Sequence, residues 1–166
     1  MPNKARLDLD AFMPYRLSVL TNRVSSAIAR HYSDRFNLSV PEWRVMAVLG
    51  QAPGLSAREV AARTAMDKVQ VSRAVQSLLA AKRLTRTAHS QDGRITHLSL
   101  SAKGLAIYND VVPLALSLEE QFLSGLTAGE QKSLDALLAK LSRHMDRMAA
   151  TPATDFHTGA IAAVPD

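Results

Sequence analysis

The 166-residue chain contains no cysteine. Disulfide staples, thiolate zinc sites and thiol-based redox sensing are excluded, and the composition suits a reducing cytoplasm. No apolar run approaches the roughly 20 residues that a membrane-spanning helix needs, so no membrane partner is expected. The opening residues, Met1-Pro-Asn-Lys-Ala-Arg-Leu-Asp8, have no apolar stretch of the kind a secretory leader requires. These features predict a cytoplasmic protein. Motifs for small-molecule chemistry are also missing. There is no Gly-rich phosphate loop, no His-Glu metal motif and no nucleophile elbow, so neither a cofactor nor an enzymatic activity is expected. The five histidines (His31, His89, His97, His144 and His157) show no ligand spacing, which argues against a metal site.

What the chain does have is a localised positive charge. Between Ser56 and Gly104 lie nine basic residues (Arg58, Arg63, Lys68, Arg73, Lys82, Arg83, Arg86, Arg94, Lys103) against three acids (Glu59, Asp67, Asp92). The remainder holds 11 bases and 12 acids, so the overall charge of +5 originates in the middle of the sequence. A basic block of this sort is the footprint of a polyanion binder, although a solvated surface gives the same composition.

Helix starts are the clearest local signals. Ser39…Glu42, Ser56…Glu59, Asp67…Gln70 and Thr127…Glu130 each pair an N-cap side chain with an acceptor three residues on, and each precedes an apolar-periodic stretch. The spacing predicts helices over about 10–35, 41–49, 57–63, 67–81, 101–123 and 128–148. Pro41 falls in a first turn, where its missing N–H is harmless. Pro113 falls inside a helix, where a kink is expected. Ser101 can cap the fifth helix. The period changes between Leu84 and Leu100, where two extended runs flank Ser90-Gln-Asp-Gly-Arg94, and Asp-Gly between such runs signals a hairpin. The fold expected is mainly α with a small β-hairpin wing, a winged helix-turn-helix flanked by long helices. Residues 39–100 are expected to form a DNA-binding domain, 10–38 and 101–149 a helical dimerisation region, and 150–166 a disordered tail.

The helix after Asp67 is the candidate reader. At 100° per residue, Val71, Ala74, Val75 and Leu78 fall in one narrow arc and must face the core. The opposite arc holds Val69, Gln70, Arg73, Gln76, Ser77 and Ala80 and carries no acid. Gln70 and Gln76 can bond an adenine edge, Arg73 a guanine, and Val69 can pack on a thymine methyl. Lys68, at the helix N-terminus, can meet a backbone phosphate. Ser72 and Arg86, the latter on the first wing strand, complete the expected DNA-contacting set together with the turn. There, Asp92 can hold Arg94 extended through a charge-assisted bond, and Arg94 can enter a narrow minor groove.

These residues resemble the MarR family of bacterial winged helix-turn-helix regulators. The likeness is carried by Leu55-Ser-Ala-Arg-Glu-Val-Ala-Ala-Arg63, Asp67-Lys-Val-Gln-Val-Ser-Arg-Ala-Val75, Leu78, Leu79, Leu84, Asp92-Gly-Arg94 and Leu98-Ser-Leu-Ser-Ala-Lys-Gly104. The order of helices on both sides matches too, so it spans about residues 10–149. The resemblance implies a homodimer in which the first, fifth and sixth helices interlock, with double-stranded DNA as partner and a pseudo-palindromic operator. It also implies that Asp92 and Arg94 form the family's wing pair, while Gly93 stands where many members have Arg. Many members release DNA when a small, often aromatic carboxylate binds near the first and second helices. Tyr15, Arg16, Arg23, Trp43 and Met46 are the residues expected to line such a site here, with Arg16 able to clamp a carboxylate through two parallel donors. Trp43, the only tryptophan, has a core role as its plainer alternative. Two other functional readings stay open on the residues alone: a helical interaction module without DNA readout, and a small-molecule enzyme using the same cavity.

Overall fold

The structure is a computed structural model and describes residues 6–88 and 96–150. Six helices and one hairpin follow in the order α1 (Met13–Phe36), α2 (Val40–Gln51), α3 (Ala57–Thr64), α4 (Lys68–Ala80), β1 (Leu84–Ala88), β2 (Thr96–Leu100), α5 (Ala102–Leu123) and α6 (Ala128–Ala150). The mainly helical fold with a small β wing is the one the sequence predicts. Among the described residues no helix is long and apolar enough to cross a membrane. Backbone contacts divide the chain into two compact units, one ending at Phe122 and one beginning at Leu123. The expected tail and the wing tip lie outside the described residues.

Local chemistry explains the helix starts. Ser39, Ser56 and Thr127 each accept the backbone N–H three residues on, while Glu42, Glu59 and Glu130 reach back to the cap, closing three full capping boxes. The fourth start differs. Asp67 accepts the Gln70 N–H at 2.8 Å, but the reciprocal half of the box is not made. A carboxamide is a weaker acceptor than a carboxylate, and Gln70 stays on the exposed surface. Ser101 caps α5, accepting from Gly104 N at 3.0 Å. α5 runs as one helix through Pro113, where the sequence led to the expectation of a kink.

The core of the first unit is built from α1 to α5 and the hairpin. Tyr32, Leu38, Val45, Met46, Leu49, Val60, Val71, Leu78, Leu84, Leu98 and Val111 are buried together. The four α4 residues placed on its core arc, Val71, Ala74, Val75 and Leu78, are all buried. β1 and β2 pair antiparallel with Leu84 opposite Leu100 and Arg86 opposite Leu98. Leu55 adds a short third rung: Leu98 N donates to Leu55 O at 2.8 Å, and Gly54 N to Leu98 O at 2.9 Å. Gly54 turns the chain into this rung with φ +81°, a region open to glycine and costly for other residues. This rung pins the loop before α3 onto the wing.

A tight junction joins the end of α4 to the start of α5. Ser101 N donates to Arg83 O at 3.0 Å, Ser101 Oγ to Lys82 O at 2.7 Å and Lys103 Nζ to Ala81 O at 3.1 Å. Gly104 is required there, because a Cβ on it would stand 2.0 Å from the Arg83 carbonyl oxygen. The second unit is simpler. Gln131 Nε2 donates to the carbonyls of Leu123 and Leu126 and so seals the turn before α6. α6 itself buries no residue.

Candidate nucleic-acid interface

The outward arc of α4 is open. Lys68, Val69, Gln70, Ser72, Arg73, Gln76, Ser77 and Ala80 are all exposed, and Val69 is 58 % exposed despite being apolar. An apolar β-branched side chain left in water on the same surface as two amides and a guanidinium matches the chemistry of base edges, where a thymine methyl offers apolar contact. No acid stands on this arc of α4. The N-cap role of Asp67 engages its carboxylate with the helix's own backbone rather than with the outer face.

Strand alternation explains what flanks the arc. Residues two apart on β1 share a face, so Arg86 lies on the same side as Leu84, and its partner across the hairpin is buried Leu98. That side packs toward α3 and α4. Arg86 is thereby brought to Arg58 in the first turn of α3 and Lys68 in the first turn of α4, around a groove of about 400 Å³ that also takes in Ser72 and Gln76. An adjoining hollow of about 370 Å³ continues past Ser56, Arg58, Arg86 and Thr96. Three cations around one groove, with hydroxyl and amide donors between them, suit the oxygens of a phosphate backbone. Arg58 was not among the residues singled out from the sequence. It lay within the basic block, but only the folded hairpin brings α3's first turn beside β1.

On the opposite flank of α4 the structure supplies a carboxylate that the helix itself lacks. Glu42, from α2, lines a hollow of about 390 Å³ with Ser39, Pro41, Gln70, Arg73 and Ser77. Its Oε2 accepts from Ser39 N at 2.7 Å and Ser39 Oγ at 2.6 Å, and its Oε1 accepts from Ser77 Oγ at 2.6 Å. Partial burial pushes this carboxyl up, yet the hydrogen bonds from Ser39 and Ser77 and the charge of Arg83 outweigh it and hold the group below its ordinary 4.5. Glu42 was identified from the sequence as a cap and nothing more.

The five residues named for an effector fall in two places. Tyr15, Arg16 and Arg23 share an open hollow of about 520 Å³ on α1 with Asp10 and Leu20. Met46 is fully buried, and Trp43 packs against the core between two tyrosine rings, 5.7 Å from Tyr32 and 6.0 Å from Tyr108. Gly50 opens the space for the Tyr108 ring, which a Cβ there would strike at 2.4 Å. Burial raises the Tyr32 phenol to about 12 against the opposing charge of Arg44. Asp92 and Arg94 lie outside the described residues. Among the described residues no cluster of His, Asp or Glu could hold a metal ion.

Comparison with known proteins agrees with this arrangement. Residues 36–95 match the family model described as MarR family, covering α2 to α4 and the first wing strand. The HTH-type transcriptional regulator BilQ of Clostridium symbiosum is 34 % identical over 95 residues, 57 % of this chain and 66 % of that protein. The HTH-type transcriptional repressor Rv2887 of Mycobacterium tuberculosis is 28 % identical over 131 residues, 78 % of this chain and 91 % of its own length. A MarR/EmrR family transcriptional regulator from Acinetobacter sp. ADP1 superposes with a TM-score of 0.78 at 27 % identity, covering 85 % of this chain and 99 % of that one. These are transcriptional regulators and not enzymes. With an exposed, acid-free outer face on α4, a paired wing and these relatives, the chain belongs to the MarR family of DNA-binding winged-helix transcriptional regulators.

Proposed function

We propose that the protein is a homodimeric repressor that reads a pseudo-palindromic operator with α4 and lets go of it when a small aromatic carboxylate binds. The observation that carries the DNA half is the outward arc of α4, where Gln70, Arg73 and Gln76 stand exposed beside the groove bounded by Arg58, Lys68 and Arg86. In this reading Gln70, Arg73, Gln76 and Val69 address base edges. Lys68, Ser72, Arg86 and Arg58 hold phosphates, and Asp92 and Arg94 serve the minor groove from the wing tip.

The dimer is supported by apolar surface that the single chain leaves in water. On α1 these are Met13, Tyr15, Leu17 and Leu20, on α5 Leu116 and Phe122, and on α6 a stripe of leucines and methionines. A second copy is the natural cover, since two-fold readers set paired helices about 34–36 Å apart to meet successive major grooves. A repressive sign is supported by the likeness to Rv2887, named as a repressor. The effector is supported by the α1 hollow, where Arg16 and Arg23 offer guanidinium donors beside the Tyr15 ring. Trp43 and Met46 belong to such a site only if the core beside it opens.

The test is selection of duplexes from a random pool with the full chain, followed by affinity measurements across a salt series. An inverted repeat should be enriched. Its binding should weaken steeply with salt, because each neutralised phosphate releases counterions. Arg73→Ala should cost roughly 1–3 kcal/mol at one base-pair position of each half-site. Absence of any enriched sequence, or binding indifferent to salt, sinks the reading.

A further inference from the structure

Apolar packing alone does not define how α4 is aimed. Val71, Ala74, Val75 and Leu78 bury the helix against its neighbours, but such burial is non-directional. Base-edge readout is directional, with donor and acceptor needed within about 2.7–3.2 Å of one another. Something must hold the helix in rotation as well as in place.

The structure puts two polar ties at the C-terminal end of α4, one on Ser77 in its last turn and one on Arg83 just beyond it. Near the middle of α2's first turn, Glu42 accepts from Ser77 Oγ with one oxygen while the other holds the Ser39 cap. Ser77 lies one turn beyond Arg73 and two beyond Gln70, on the same flank of the helix, and all three border the hollow that Glu42 lines. Restraining Ser77 therefore restrains the two readers before it. Just past that end, Arg83 Nη1 donates to Asn37 O at 3.1 Å and its Nη2 to Phe36 O, gripping the last turn of α1. The Arg83 carbonyl is meanwhile held by Ser101 and abutted by Gly104.

Electrostatics sharpen the point. A carboxylate beside Arg73 repels the phosphates of any DNA that approaches. For a phosphate-binding surface Glu42 is a liability in sign, so its place needs a gain of another kind. Resting on the DNA-reading proposal above, we infer that Glu42 is a positioning residue for sequence readout. It touches no DNA, and together with Arg83 it mounts the reading helix on α1 and α2 at a fixed rotation.

The inference separates from a plain structural role through the ratio of two affinities. The probes are a duplex selected by the full chain and a scrambled duplex of the same composition. Glu42→Ala removes both the tie and the negative charge. It should bind the scrambled duplex as well as the parent or more tightly, and the selected duplex on the order of 10-fold more weakly, the loss of a charge-assisted bond being read only where geometry matters. Glu42→Gln removes the charge but keeps an oxygen that can accept from Ser77, and should restore the selected affinity. Ser77→Ala leaves the Ser39–Glu42 cap intact and should reproduce the loss of preference. If Glu42→Ala weakens both duplexes in parallel, Glu42 is only a stabiliser and the inference is overturned. Unchanged preference in Glu42→Ala or Ser77→Ala overturns it equally. Failure of the underlying reading looks different: the parent itself shows no preference between the duplexes, and both proposals fall together.

Discussion

The winged module and α6 dispose of their apolar residues in opposite ways. In the module, Val45, Met46, Val60 and Leu78 are at most 1 % exposed, and the polar residues stand outside. On α6, Leu134, Leu137, Leu138, Leu141, Met145 and Met148 recur at helical spacing and remain 36–59 % exposed. Both regions carry apolar residues at helical spacing. In the module they are buried against one another, and on α6 none is buried. The first therefore behaves as a finished core, while the second leaves an exposed apolar stripe, which the proposed dimer would cover.

Mutation of the two regions should break that contrast most visibly. Leu137→Glu with Leu141→Glu should turn the proposed dimer into a monomer in sedimentation while leaving the helical circular dichroism of the winged module intact. If the double variant stays dimeric, the α6 stripe is not the interface. Leu78→Ala should act the other way. It should cost about 2–5 kcal/mol in chemical denaturation, as for other fully buried leucines cut to alanine, and leave the α6 stripe untouched.

Smaller effects sharpen the comparison at the surface. Arg58→Ala should lower the salt slope of DNA binding by about one counterion without changing sequence preference. A change in preference would move Arg58 from the phosphates to the bases. The pH dependence should also separate core from surface. Burial raises Tyr32 to about 12 from an ordinary 10.0, so its contribution is complete below pH 10 and is lost as pH rises through about 12. Tyr32→Phe should flatten that alkaline limb in thermal melts. At the acid end, Glu59 is held low by the Ser56 backbone and side chain, and Glu130 by those of Thr127. Glu42 is lowered as well, against its own burial. Their contributions are present above about 4.5 and fade as pH falls through the lowered values, so melts below pH 4.5 should report fraying of α2, α3 and α6 starts.

Much of this was legible in the sequence. Ser39, Ser56 and Thr127 announced their helices because a capping box is local chemistry, satisfied within four residues. The inward arc of α4 was legible because Val71, Ala74, Val75 and Leu78 recur at the helical period. The Asp67…Gln70 pair was only half right, since Gln70 leaves the box open. The effector set was drawn from one likeness, and folding separates it: Tyr15, Arg16 and Arg23 share a hollow on α1, whereas Met46 is sealed in the core and Trp43 is packed between Tyr32 and Tyr108.

Sequence alone determined the order of elements, the faces they bury and the basic, acid-free arc of α4, because periodicity and capping act over a few residues. Only the tertiary structure decided that Arg58 and Arg86 flank one groove and that Glu42 reaches Ser77 across 35 residues of chain. It alone set Arg83 between α1 and α5. Those pairings depend on how helices and strand pack, and packing sums weak contacts over the whole core, which no local pattern spells out.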